Sequence, residues 1–422
     1  MNQVELALPS EEPAHADGTG FSIGWDHAHH GLVPPPELLL EGTPIGQGWR
    51  AGRAVFASRS RPWPAGRHVR QWLALRITAW REGVPFDLAT VTPNHLAQIE
   101  VRECPVRRVP LGGATGDANL ANTPQVQRLN HQAAYAAGNL AVLSRAAAQA
   151  WQGLAVADLV RRARAAEAAE AAEASPVPQA PAVGAGADST RARGHFAPCA
   201  TDATLDAAVW WRLAALRSLA TPLPAPEAAR LPLAALPPNR VRVLNAVQAL
   251  QVLLTLRLSH TDWCARIGAV AGVLPSHALR TDFNLWVGAL APRLLEAQAQ
   301  GRELGRALED AWLGERVQRR WQYFVLNLGE AACEQLVRRL AAQRLPGRAT
   351  ELMHWDQATD GWALAQPRLR TAALSESPSA PVPAGAASSA EGPARPASHR
   401  RTAQTPFAPR PRATAGPRPA TR

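Results

Sequence analysis

The sequence predicts an α+β N-terminal block containing a candidate ββα finger, then an all-α helical bundle, then a disordered Pro/Ala/Arg-rich C-terminal tail. Three observations carry this. Apolar residues recur at helical spacing through 204–370, whereas 104–130 is rich in β-branched residues and turn formers. From Thr371 onward only Leu374, Val382 and Phe407 are large apolar side chains, too few to offset the chain's conformational entropy. The 422 residues are 46% apolar and 19% charged, enough for a sizeable core.

The first 19 residues are acidic and are expected to be disordered. They carry Glu5, Glu11, Glu12 and Asp17 with no arginine, so no signal peptide is expected. The α+β domain is placed at 20–165. Its clearest helix carries Val69, Trp72, Leu73, Ile77 and Trp80 on one stripe and stops at Gly83 and Pro85. Residues 104–111 read as a hairpin, 112–122 as a Gly/Asn loop, 126–130 as a strand, and 140–147 as a helix opening at Gly138–Asn139. Residues 166–203 combine an Ala/Glu helix, treated as a spacer, with a Pro/Gly linker.

The helical domain is placed at 204–370 and is expected to separate from the first. Asp206 precedes Val209, Trp210, Leu213 and Leu216, and helical spacing assigns the Trp210–Trp211 indoles to core packing. Val247, Leu250, Leu253 and Leu254 form a second stripe. Asp282 is the expected N-cap of a helix with Leu285, Trp286, Leu290 and Leu294. Leu304, Leu308 and Trp312, then Leu336, Val337 and Leu340, mark two more. Such helices joined by short breaks pack as a bundle. The basic tail occupies 371–422.

Every one of the 45 basic residues is Arg, and the formal net charge is +11. Arg, Ala, Pro, Gly and Trp share GC-rich codons, so a GC-rich bacterial genome accounts for part of that charge. This weakens the inference from basicity to nucleic acid. The longest apolar run, 241–258, is broken by Arg242, Asn245, Gln248, Gln251 and Arg257, so no membrane span or membrane partner is expected. The four cysteines form no C-x-x-C pair, as in a reduced cytoplasmic protein.

The motif-bearing stretch is 104–151. Cys104, Pro105, Pro110 and Leu111 fit a hairpin motif C-x-x-[ST]-G-x-P-L. Arg128, Leu129, Asn130, Tyr135, Gly138, Asn139 and Leu140 fit L-D-R-[IL]-[DN]-x-x-x-G-Y-x-x-G-N, and Ser144 with Ala147 fits a following helix. In this the segment resembles the phage-type branch of the HNH (His-Me finger) nucleases. The resemblance implies a ββα unit in which a divalent metal neutralises the phosphate and activates water. It also implies a metal-ligating carboxylate at the position of Gln127, an Asn at Ala148 and a Lys at Trp151. Gln is a poor hard-cation ligand and Ala is none. A nuclease-like unit without its metal site is therefore expected to be catalytically silent, and a divalent metal is a cofactor only if the site is active.

The leading expectation is a nucleic-acid-binding protein that meets phosphate through Arg107, Arg108, Arg128 and Arg145. His131 and Asn139 are the remaining catalytic candidates, Asn139 chiefly as a helix cap. One alternative is a scaffold or protein-interaction module without a nucleic-acid role, docking through the helical domain. Another is a metal-dependent hydrolase built on Asp26, His27, His29 and His30, four candidate ligands within five residues. Glu351, His354, Asp356 and Asp360 form a sparser cluster.

Overall fold

A computed structural model describes residues 12–57, 65–112, 117–174 and 205–342. The expectations for the 175–200 linker, the 371–422 tail and the Glu351–Asp360 cluster lie outside these residues. The described elements are fourteen α-helices, two short 3-10 turns and one two-stranded antiparallel sheet.

Helix α1 (Glu12–His29) begins inside the segment expected to be disordered. It packs on α2 (Pro44–Phe56) at very close range. A Cβ on Gly24 would lie 1.9 Å from the Ile45 carbonyl oxygen, and one on Gly48 would lie 1.9 Å from that of Phe21. Only glycine permits this approach. Helix α3 (Arg67–Arg81) follows the predicted stripe and ends before Gly83, whose φ is +64°. Helix α4 (Pro93–Ile99) is capped by Thr92.

The expected hairpin at 104–111 is a tight turn with an isolated antiparallel bridge between Glu103 and Pro110. Beyond it, β1 (Pro124–Arg128) pairs with β2 (Leu140–Ser144) in the register Val126 to Val142, followed directly by α5 (Arg145–Ala150). The order is ββα, but residues 140–144 are a strand where the sequence predicts a helix. The short run Leu-Ala-Val-Leu has no period of its own to separate the two. Burial on both sheet faces decides it: Leu140 and Val142 enter a core with Ala79, Val91, Leu96, Ile99 and Tyr135. Ala141 and Leu143 point the other way, into the main core. The helix starts one strand later, with the Ser144 hydroxyl accepting from the Ala147 amide.

The Ala/Glu helix is no spacer. Helix α6 (Val156–Ala174) packs on α7 (Ala207–Leu219), burying Leu159 and Ala163. Its Glu167 accepts from the Trp211 indole at 2.7 Å, and Glu170 from the Ala207 amide at 2.7 Å. These contacts hold a helix whose charge order opposes its dipole. Asp206 caps α7, accepting from the Val209 amide at 2.7 Å.

The remaining elements are α8 (Ala225–Ala229), α9 (Ala246–Leu258), α10 (Trp263–Gly272), α11 (His277–Ala299), α12 (Leu304–Ala311), α13 (Glu315–Leu328) and α14 (Glu330–Ala342). Trp286, Trp312 and Trp321 meet with centroids 5.3–5.5 Å apart, against Phe283 and Phe324. Helix α11 starts nearly two turns earlier than predicted, capped by Ser276 in place of Asp282. Asp282 lies within it and accepts from Asn327 on α13 at 3.2 Å.

The main core does not stop at residue 204. It contains Cys104, Leu129, Leu143, Trp151 and Leu159 together with Leu213, Leu250, Trp286 and Trp321. The ion pairs from Arg108 to Glu309 (3.0 Å) and Asp310 (2.7 Å) tie the 104–109 turn to α12. The main core thus crosses the boundary expected near 204, while Ile23, Leu38, Ile45 and Ile77, and the group around Leu96 and Tyr135, form clusters of their own.

Candidate functional site

The ββα unit is shaped by its 129–139 loop. Asn139 has no exposed surface and does not cap a helix. Its Oδ1 accepts from the Asn130 amide at 2.8 Å, while its Nδ2 donates to the carbonyls of Asn130 (3.0 Å) and Ala134 (2.9 Å). One side chain so holds both ends of the loop. Gly138 precedes it at φ +90°, with Arg242 packed where a Cβ would stand.

Arg128 closes the loop from β1. Its Nη1 donates to the carbonyls of His131 (2.7 Å) and Ala133 (2.8 Å), and its Nη2 to Glu82 (3.2 Å). Its guanidinium lies 4.7 Å from the Tyr135 ring centroid, and the Tyr135 hydroxyl donates to Glu82 at 3.1 Å. Burial foremost pushes the Tyr135 hydroxyl up to about 12. The turn after α3 is thereby bound to the loop.

On the other side stand His131, Trp151 and Arg217. Arg217 donates through Nη2 to His131 Nε2 at 2.8 Å and lies 4.7 Å from the Trp151 ring centroid. A guanidinium only donates, so His131 Nε2 is the acceptor and the ring is neutral. Burial, then the charges of Arg217 and Arg128, lower the His131 pKa from 6.5 to about 4. Its Nε2 lone pair is engaged and its basicity is low, which removes it as a catalytic base near neutral pH.

The predicted phosphate ligands divide. Arg107 bonds Asn122 at 3.2 Å, Arg108 is paired with α12, and Arg128 is spent on its own loop. Sequence spacing could not reveal these partners, since Glu82 and Glu309 are distant in the chain. Arg145 is exposed at the start of α5, with no side-chain partner among the described residues. Gln127 is half-buried on β1, Ala148 and Trp151 are buried, and no metal-ligating pair forms from the positions the resemblance implies.

The 26–30 cluster is also dispersed. Asp26 and His27 are adjacent on α1, so their side chains diverge by about 100°. Asp26 is ion-paired with buried Arg76, His27 Nδ1 bonds the Ile23 carbonyl at 2.8 Å, and the His29 and His30 rings face each other at 5.0 Å. Burial lowers the pKa values of His27 and His30. Among the described residues no three His, Cys, Asp or Glu side chains converge to hold a metal ion.

Sequence reasoning missed Arg217. The available signal was that α7 is buried almost all round, yet carries Arg212 and Arg217; charges in such a helix must find partners inside. Among the described residues no helix is long and apolar enough to cross a membrane. Comparison with known proteins finds no matching family model, no similar curated protein and no similar solved structure.

Proposed function

We propose that the protein is a non-catalytic interaction module in which the nuclease-like ββα unit joins the N-terminal layer to the helical bundle. The carrying observation is that β2 sends alternate side chains into two cores while Arg108 and Arg128 are consumed by internal carboxylates and carbonyls. A unit committed in this way has no outward set of ligands for a metal and a scissile phosphate. The docking surface that fits is the outer side of α11 and α13, which pack side by side and leave Leu285, Leu295, Tyr323 and Leu326 45–59% exposed.

A second reading, nucleic-acid binding without cleavage, is supported by exposed Arg145, without a side-chain partner among the described residues, and by the net charge of +11. Salt separates the two. Labelled duplex DNA and single-stranded RNA are titrated with the full chain at about 50 and 200 mM salt, with and without Mg²⁺ or Mn²⁺. The interaction-module reading expects neither binding nor cleavage. Binding that weakens steeply with salt and weakens further in Arg145→Ala selects the second reading. Metal-dependent cleavage overturns both.

A further inference from the structure

Arg217 is 4% exposed and has no carboxylate partner among the described residues. Of the other buried arginines, Arg76 is paired with Asp26, Arg212 with Asp310 at 3.4 Å, and Arg257 donates to the Leu340 carbonyl at 3.1 Å. Arg217 meets only neutral groups, the His131 imidazole and the Trp151 indole. Its Nε–H is buried without an acceptor, as is that of Arg212, so the missing carboxylate is what distinguishes Arg217 from it. The neighbouring Arg128 adds a second positive charge, itself answered by Glu82. Burial lowers the Arg217 pKa to about 10, so the group is a cation at neutral pH. A desolvated cation with an idle donor is compensated only by an anion or by further hydrogen bonds.

We infer that Arg217, with His131 and Trp151 around it, is a receptor for a small oxyanion of the phosphate class, taken up where the 129–139 loop meets α7. The idle Nε–H is a directional donor of the kind that guanidinium–phosphate recognition uses. The burial of Arg217 restricts the ligand to a free phosphate ion or a terminal phosphate group, because an interior phosphodiester brings a nucleotide on each side. His131, the only one of the three that is partly exposed, is where the site meets solvent. An anion here weakens the field of Arg217 and Arg128 at the imidazole, so the His131 pKa rises. This inference is independent of the interaction-module reading; it uses none of the residues of that docking surface.

The test uses the full chain in inorganic phosphate against chloride at matched ionic strength, reading the melting temperature and the His131 ring resonances. The expected result is a saturable rise in melting temperature and an upward shift of the His131 titration by at least one pH unit. Both responses vanish in Arg217→Met and persist in Arg145→Ala. Competition identifies the source of the phosphate: displacement by a 5′-phosphorylated trinucleotide but not by its 5′-hydroxyl form assigns a terminal phosphate. No displacement by either assigns the free ion. If Arg217→Met fails to fold, the wild-type His131 titration decides alone. A His131 titration identical in phosphate and chloride overturns the inference, as does an undiminished response in a folded Arg217→Met protein.

Discussion

Asn139 stabilises the fold from inside the 129–139 loop, through one accepted and two donated hydrogen bonds with no solvent to replace them. Removing it strands three buried backbone groups, so Asn139→Ala is expected to cost about 3 kcal/mol, well above the roughly 1 kcal/mol of a lost helix cap. Urea unfolding measures this, and a loss below about 1 kcal/mol would return Asn139 to a capping role. His131 makes a second prediction. Its folded pKa of about 4 lies below its ordinary 6.5, so on acidification the unfolded chain takes up the proton first. The resulting stability is complete above about pH 6.5 and is lost progressively as pH falls toward 4. His131→Asn keeps an acceptor for Arg217 but does not titrate. Between pH 7 and 4.5 the variant should lose less stability than wild type, by on the order of 2 kcal/mol; equal losses count against the assignment.

At the scale of elements, the helices with one apolar stripe were legible. Helix α3 follows directly from its apolar spacing, and α7 begins after Asp206 where the apolar run starts. Strand β2 was not, because Leu140 to Leu143 are apolar throughout and only the two surrounding cores reveal a period of two. The same limit hid the role of α6, whose glutamates act on the Trp211 indole and the first turn of α7. The candidate site was legible as a motif and illegible as electrostatics. Arg128 was expected to meet phosphate, yet Glu82, 46 residues earlier, and the loop carbonyls take up its donors. Restoring the motif's ligands should therefore not restore a metal site. Ala148 is buried in α5, so Gln127→Asp with Ala148→Asn forces a polar amide into packed apolar surroundings. The expected outcome is a lower melting temperature with no Mg²⁺-dependent stabilisation. Calorimetric Mg²⁺ binding by the folded double variant would show that the unit retains an open ligand geometry.

On the scale of the whole molecule, the central claim is that the ββα unit is part of one interior shared with the helical bundle. Trp151 and Leu143 belong to the same core as Leu250 and Trp286, and Arg108 fastens the adjoining turn to Glu309, which is itself buried. Composition could suggest a boundary near 204, because the Pro/Gly linker is visible in sequence, whereas a core that closes across a linker is not. Residues in one cooperative core exchange their amide hydrogens through the same opening. Native-state hydrogen exchange of the full chain across a low-denaturant series tests this most directly, reading the amides of β2 beside those of α7 and α9. A shared core predicts that the three elements merge into a single opening with one free energy and one denaturant dependence. Exchange of β2 through a separate, lower-energy opening, with α7 and α9 still protected, would contradict it.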